Sequence, residues 1–223
     1  MPSFQICIDG YAACGKSTLA RGLADELEFL YIDSGAMYRG VTLYFLDHGL
    51  SFDHEQLDSV IQNINIEFEY GPASDDKLLL NGKDVSSQLR SEAVNENVSK
   101  VAAMSNVRRR LVSLQQKYGD TQNVVMDGRD IGTVVFPDAI LKLFLTAGLE
   151  TRILRRMNDS KLGDQKSDYS TIKANLIKRD HIDSTRDDSP LIQAQDAVLI
   201  DNTNLTIREQ LALTTLLAKI RIG

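Results

Sequence analysis

Cysteine is scarce in this chain: 223 residues hold two, Cys7 and Cys14. That number, with one thiol inside an apolar run and the other in a glycine-bounded loop, excludes a disulfide framework. A reduced, cytoplasmic setting is the expectation. Cys14 is either a small residue that fits a turn or a reactive thiol beside a cationic loop. No apolar run approaches the roughly 20 residues needed to span a bilayer as a helix. The first apolar run is short and lacks a basic flank, so no secretory leader is expected. Surplus positive charge is missing too. Twenty-five Lys and Arg stand against 31 Asp and Glu, a net charge of −6. That argues against a general nucleic-acid binder, although an acidic protein can hold an anion where one cleft concentrates its arginines. Repeats and low-complexity tracts are absent. What remains is an ordinary globular composition, long enough for one substantial core with a small insertion.

The stretch 6–18 organises the rest. Ile6-Cys7-Ile8-Asp9 is a short apolar run of the kind a buried parallel strand makes. The residues that follow, Gly10, Tyr11, Ala12, Ala13, Cys14, Gly15, Lys16, Ser17 and Thr18, fit G-x-x-x-x-G-K-[ST]. Such a loop curls its backbone N–H groups around a polyanion, and the terminal glycines permit the sharp turns. Lys16 is placed to reach β- and γ-phosphates, and the Ser17 hydroxyl to ligate Mg2+. An amphipathic helix over 17–27 aims its positive end at the same phosphates. Leu19, Ala20, Leu23, Ala24 and Leu27 share its apolar face. Strand, loop and helix in that order make the motif specific.

Further strands are expected at 30–32, 123–126, 140–145 and 197–200, with helices between them. The pattern predicts a three-layer α/β fold with a five-stranded parallel sheet and right-handed crossovers. Asp33 or Ser34 would cap a helix ending near His48-Gly49, with Arg39 in its first turns, and Asp53 would cap another over 53–62. Residues 64–70 alternate strictly, 71–76 read as a loop, and 78–85 read as a hairpin with Asn81-Gly82 in a type I′ turn. The segment from about 64 to 90 is therefore a small antiparallel insertion. Two helices follow over 91–118, broken near Ser105-Asn106, the second carrying Arg108-Arg109-Arg110, a charge run that could equally be a solvated face.

Asp127-Gly128-Arg129-Asp130 closes the third sheet strand, at the edge where open α/β sheets bind ligands. An acid there, Asp127, suits Mg2+. A helix over 149–161 presents Arg152, Arg155 and Arg156 on one face, with little neutralisation from Glu150 and Asp159, followed by a polar, lid-like segment over 158–168. Such a cluster suits phosphates, though a solvated face explains it too. Arg179, Asp183 and Arg186 lie at the far end of a helix over 169–184, where simple helix salt bridges are the alternative. A closing helix over 206–220 has Leu211, Leu213, Thr214, Leu217 and Ala218 as buried candidates.

These stretches together resemble the cytidylate kinases of the bacterial type. The resemblance covers nearly the whole chain and is carried by Ile8-Asp9-Gly10 with the loop, 33–39, 80–85, 99–103, 152–157 and above all the run 127–139. It implies a single P-loop kinase domain over 1–223 with a monophosphate-binding insertion at about 64–90 and a helical lid at about 152–168. It implies transfer of the γ-phosphoryl group of ATP to CMP or dCMP with Mg2+ held through Ser17 and Asp127. Ser99, Arg108 and Asp130 would read cytosine, and Asp183 with Arg179 would hold the ribose. Ser34, Arg39, Arg129 and Arg186 would clamp the monophosphate, while Lys16, Arg129, Arg152, Arg155 and Arg156 meet the transferring group. A cytoplasmic monomer, with neither nucleic acid nor membrane as partner, goes with that resemblance. One departure stands out: the family loop has a Gly- and Ser-rich interior, and here it reads Tyr11-Ala12-Ala13-Cys14.

Overall fold

The apolar run at the head of the motif becomes β1 (Gln5–Gly10), buried at every position after Gln5. In the computed structural model, which describes residues 3–51, 57–70, 76–159 and 168–223, β1 is the middle strand of five. The others, numbered along the chain, are β2 (Leu30–Asp33), β6 (Val124–Gly128), β7 (Leu141–Thr146) and β8 (Val198–Asp201). Their order is β2-β6-β1-β7-β8 and every pairing is parallel. A strand with neighbours on both sides and cover on both faces has no polar face to present, hence the unbroken apolar sequence of β1.

Helices α1 (Lys16–Leu27) and α8 (Ile207–Ile222) pack together and cover one core. Leu19, Ala20, Leu23 and Ala24 of α1 meet Ile6, Ile8, Leu143 and Leu145 of the sheet. Gly22 keeps α8 close, since a Cβ there would stand 3.3 Å from Leu211. A capping box starts α8: Thr206 Oγ1 accepts from Glu209 N, and Glu209 Oε2 accepts from Thr206 N. Thr214 and Ala218 are buried there and Leu211 and Leu217 half-buried, but Leu213 is exposed. Its position lies one step off the face that Gln210, Thr214 and Ala218 turn inward.

Contacts divide the chain into two bodies, Met1–Ser34 with Leu114–Gly223, and Gly35–Ser113. The second body contains most of α2 (Ser34–Asp47), then α3 (Leu57–Gln62), β3 (Ile66–Glu69), β4 (Lys77–Leu80), β5 (Lys83–Asp84), α4 (Glu92–Ala102) and the start of α5 (Ser105–Thr121). Strands β3, β4 and β5 form a separate antiparallel sheet. Asn81 and Gly82 both have positive φ, +51° and +79°, as a type I′ turn requires. The expected Asp53 cap, the loop residues 71–75 and positions 160–167 of the lid segment lie outside the described residues.

Among the described residues, the first body also holds α6 (Leu149–Met157) and α7 (Tyr169–Thr185). Between β6 and β7 stands a π-helical turn, Ile131–Val135.

Candidate active site

At the C-terminal end of β1 the chain must turn hard against β7. A Cβ on Gly10 would lie 2.0 Å from Leu145 O, so only glycine fits there. Gly15, at φ +91°, opens α1. Ala13 also sits at positive φ, +58°, a left-handed conformation that costs a residue with a Cβ about 1–2 kcal/mol.

The loop interior that departs from the family pattern is explained by its neighbours. Tyr11 meets Phe144 edge-on at 5.9 Å, and the Arg152 guanidinium lies 5.4 Å from its ring centre. Ala12 and Ala13 join a small apolar cluster with Leu149, Ile153, Ile172 and Leu176 of α6 and α7. Cys14 is fully buried in the main core, its Sγ 3.0 Å from Tyr11 O; this places it as a packed small residue.

Lys16 is buried, and its Nζ donates to Tyr11 O at 2.7 Å. Burial first, and then the nearby Arg129 charge, lowers its pKa. The Ser17 hydroxyl donates to Asp127 Oδ2 at 2.9 Å. Tyr31 donates to the other oxygen of Asp127 at 2.9 Å, and Ser34 Oγ donates to the Asp127 backbone carbonyl at 2.6 Å. Burial, reinforced by Asp33, raises the Asp127 pKa to about 6. A hydroxyl and a carboxylate oxygen in contact are a hard donor pair that suits Mg2+, which takes few protein ligands and completes its shell with phosphates and water.

The three arginines of α6 are not the uncompensated cluster their spacing suggested. Arg152 is buried, donates to Ala147 O at 3.1 Å and Ala12 O at 3.2 Å, and pairs with Asp180 of α7. Arg155 donates to Cys14 O at 3.2 Å and to Asn202 Oδ1 and O, both at 2.8 Å. Arg156 pairs with Asp159 at 3.5 Å. The i, i+3, i+4 spacing put three guanidiniums on one side of a helix; the loop carbonyls and Asp180 decide where two of them point.

A second cluster gathers where β6 ends. Arg129 Nε donates to Asp183 Oδ2 at 2.7 Å. Arg186 lies 3.9 Å from Asp183 and 3.7 Å from Asp130, and its Nε and Nη2 donate to Ser189 O. Burial alone would raise the Asp183 pKa, but Arg129, Arg179 and Arg186 outweigh it and the net shift is downward. For Arg129 burial works toward a lower pKa, and Asp183 more than reverses it.

Three residues at this end escaped the sequence reading. Asp9 accepts from Ile131 N at 2.9 Å and Gly132 N at 2.8 Å, tying the π turn to the strand that feeds the loop. Its pKa rises to about 6, from burial first, against the lowering by those two amides. Asp180 accepts from Ala12 N at 3.1 Å. Asn202, fully buried, donates through Nδ2 to Cys14 O and Gln210 Oε1, both at 2.8 Å. Asp9 carried a faint signal as a charge ending an apolar strand; Asp180 and Asn202 carried none.

The profile of the Cytidylate kinase family matches residues 6–220. The chain belongs to the cytidylate kinase family. A cytidylate kinase of Bacteroides fragilis is 46% identical over 215 residues, 94% of each chain. One of Fusobacterium nucleatum is 45% identical over 210 residues, again 94% of each. A crystal structure of an uncharacterized protein from Eubacterium ventriosum superposes with a TM-score of 0.50 at 12% identity, covering 99% of this chain and 98% of that one. That likeness concerns the fold alone. In the second body, the family's expected base-side residues are inward: Ser99 is buried, and Arg108 is 1% exposed, donates to Ala102 O at 3.0 Å and lies 5.6 Å from the Tyr38 ring centre. Arg39 is half-buried on α2.

Proposed function

We propose that the chain transfers the γ-phosphoryl group of ATP to CMP or dCMP, giving ADP with CDP or dCDP. Membership of the cytidylate kinase family makes it a nucleoside monophosphate kinase, a phosphotransferase with small-molecule nucleotide substrates. The observation that carries the finer reading is an intact phosphate loop, with Lys16, Ser17 and Asp127 at one strand edge, in a chain matched from 6 to 220.

Catalysis of this kind asks little covalent work of the protein; it positions donor and acceptor in line and offsets developing charge. Loop amides and the α1 N-terminus hold the donor phosphates, and Lys16 turns from Tyr11 O to the β- and γ-phosphates. Ser17 and Asp127 would hold Mg2+, which when bound neutralises phosphate charge. Arg129, Arg152, Arg155 and Arg156 are the cations this reading assigns to the transferring group, Arg152 and Arg155 from their places against the loop, and Ser34, Arg39, Arg129 and Arg186 are those it assigns to the monophosphate. Arg179 and Asp183 hold the ribose. Ser99, Arg108 and Asp130 read the base: the cytosine 4-amino group donates, which suits a carboxylate, and N3 and O2 accept, which suits a guanidinium. Uracil offers an oxygen where that amino group was. The insertion at about 64–90 serves the acceptor, and the segment at about 152–168 the exclusion of water. A cytoplasmic monomer free of nucleic acid and membrane belongs to the same reading, and no described helix is long and apolar enough to cross a membrane.

ADP release from Mg·ATP is measured with CMP, dCMP, UMP and AMP in turn. Turnover with CMP and dCMP well above the other two is expected. Folded protein indifferent to CMP ends the proposal.

A further inference from the structure

The backbone of Ala12 is held at both its N–H and its carbonyl. Its N–H donates to Asp180 Oδ1 at 3.1 Å, and its carbonyl accepts from Arg152 Nη1 at 3.2 Å. Arg152 Nη1 also donates to Asp180 Oδ2, closing a ring of three bonds through one acid, one base and one loop peptide. The ring is sheltered: the side chains of Arg152 and Asp180 are 10% and 15% exposed. Beside it, Ala12 packs against Ile153, Ile172 and Leu176, so α6 and α7 already dock on the loop through apolar contact. Docking does not need the ring. What the ring adds is orientation, because an arginine side chain is long and rotamer-rich, and a paired carboxylate fixes where its fork points. One turn along α7, Asp183 does the corresponding service for Arg129.

We propose that Asp180 is a positioning residue for phosphoryl transfer: it holds the Ala12 peptide and the Arg152 guanidinium in one register, so that donor loop and attending cation keep a fixed relation. The role rests on the phosphoryl-transfer reading above. Asp180 acts through Ala12 and Arg152. Its removal therefore shows in the donor side of the kinetics and in the chemical step, and leaves the acceptor side alone.

The test compares wild type with Asp180→Asn and Asp180→Glu. In Asp180→Asn, kcat is expected to fall about 10- to 100-fold, the loss that a misplacement near 1 Å brings. KM for ATP rises about threefold or more while KM for CMP stays within about twofold, a split that general loosening does not produce. Asp180→Glu keeps the charge and recovers part of kcat. In amide NMR spectra the Ala12 proton moves upfield in Asp180→Asn as its charged acceptor is lost. A kcat and KM for ATP within about twofold of wild type overturn the proposal. So does a KM for CMP that rises as far as that for ATP. Should Asp180→Asn not fold, the Glu variant and the wild-type Ala12 amide decide: a Glu variant with unchanged kinetics, or a wild-type amide exchanging as fast as a solvent-exposed one, overturns it. Wild type that releases no ADP with any monophosphate counts against the parent reading. Active wild type beside an unaltered Asp180→Asn counts against the role of Asp180 alone.

Discussion

The two ends of the site in the first body are held in different ways. Around the phosphate loop the neighbours grip backbone: Asp180 takes the N–H and Arg152 the carbonyl of Ala12, and Arg155 and Asn202 both take the carbonyl of Cys14. Around Arg129 the grip is charge on charge, with Arg129 and Arg186 balanced against Asp183 and Asp130. Protein groups thus fix the path of the loop backbone. In the second cluster, carboxylates meet charges that the proposed function assigns to a monophosphate, so an incoming anion competes with Asp183 and Asp130. Under the proposed function, a loop that presents amides needs a fixed shape, and a cluster that exchanges partners with an incoming anion needs balance.

The sharpest way to break this contrast is at Lys16. Lys16→Ala is expected to lower kcat on the order of 1,000-fold in an ADP-release assay, at the upper end of what one preorganised electrostatic contact contributes. An active variant would reduce the shaped loop to a turn. Next comes Asp130→Ala, which removes one acid from the balanced cluster. Its preference for CMP over UMP, as the ratio of kcat/KM values, is expected to fall by about 10- to 100-fold, matching roughly 1–3 kcal/mol for a mismatched base contact. An unchanged ratio removes Asp130 from base reading.

Acidity separates the two ends as well. Asp9 is raised to about 6 in the folded protein, so it binds protons more tightly there than unfolded. Its penalty to stability is full above pH 6 and fades as pH falls toward 3.8. Asp183 is lowered: its contribution is present above the unfolded value and is lost only as pH falls through the folded one. Between about pH 7.5 and 5, wild type is therefore expected to gain about 1 kcal/mol of unfolding free energy relative to Asp9→Asn. Denaturant melts at the two pH values check it, and a constant difference between the proteins contradicts the buried charge. The smallest effect is expected at Ala13, held at φ +58°. Ala13→Gly relieves the left-handed strain, offset by the greater freedom of glycine in the unfolded chain, for a net gain of about 0.5–1 kcal/mol. A Tm that does not rise means the loop peptide is held elsewhere.

Much of this was legible in the residues. Period-2 and continuous apolar runs separate the two kinds of strand, and Asn81-Gly82 names its own turn. Gly10 and Gly15 bracket the loop because backbone there must pass where a Cβ cannot. The helix bounds of α6 illustrate the limit: the sequence suggested 149–161, and the described helix is Leu149–Met157. Leu213 shows another, since an apolar residue one step off the buried face looks the same in the sequence as one on it.

By itself, then, the amino-acid sequence determined the strand–loop–helix unit, the parallel sheet, the antiparallel insertion and the family, because local periodicity and backbone sterics act over a few residues. Only the tertiary structure decided the partners of the charged side chains. Arg152 turns to Asp180, 28 positions away, Arg155 to Asn202, 47 away, and Asp9 to amides more than 120 away. A guanidinium or carboxylate can reach many acceptors, and which one it meets depends on the packing of elements that sequence spacing does not relate.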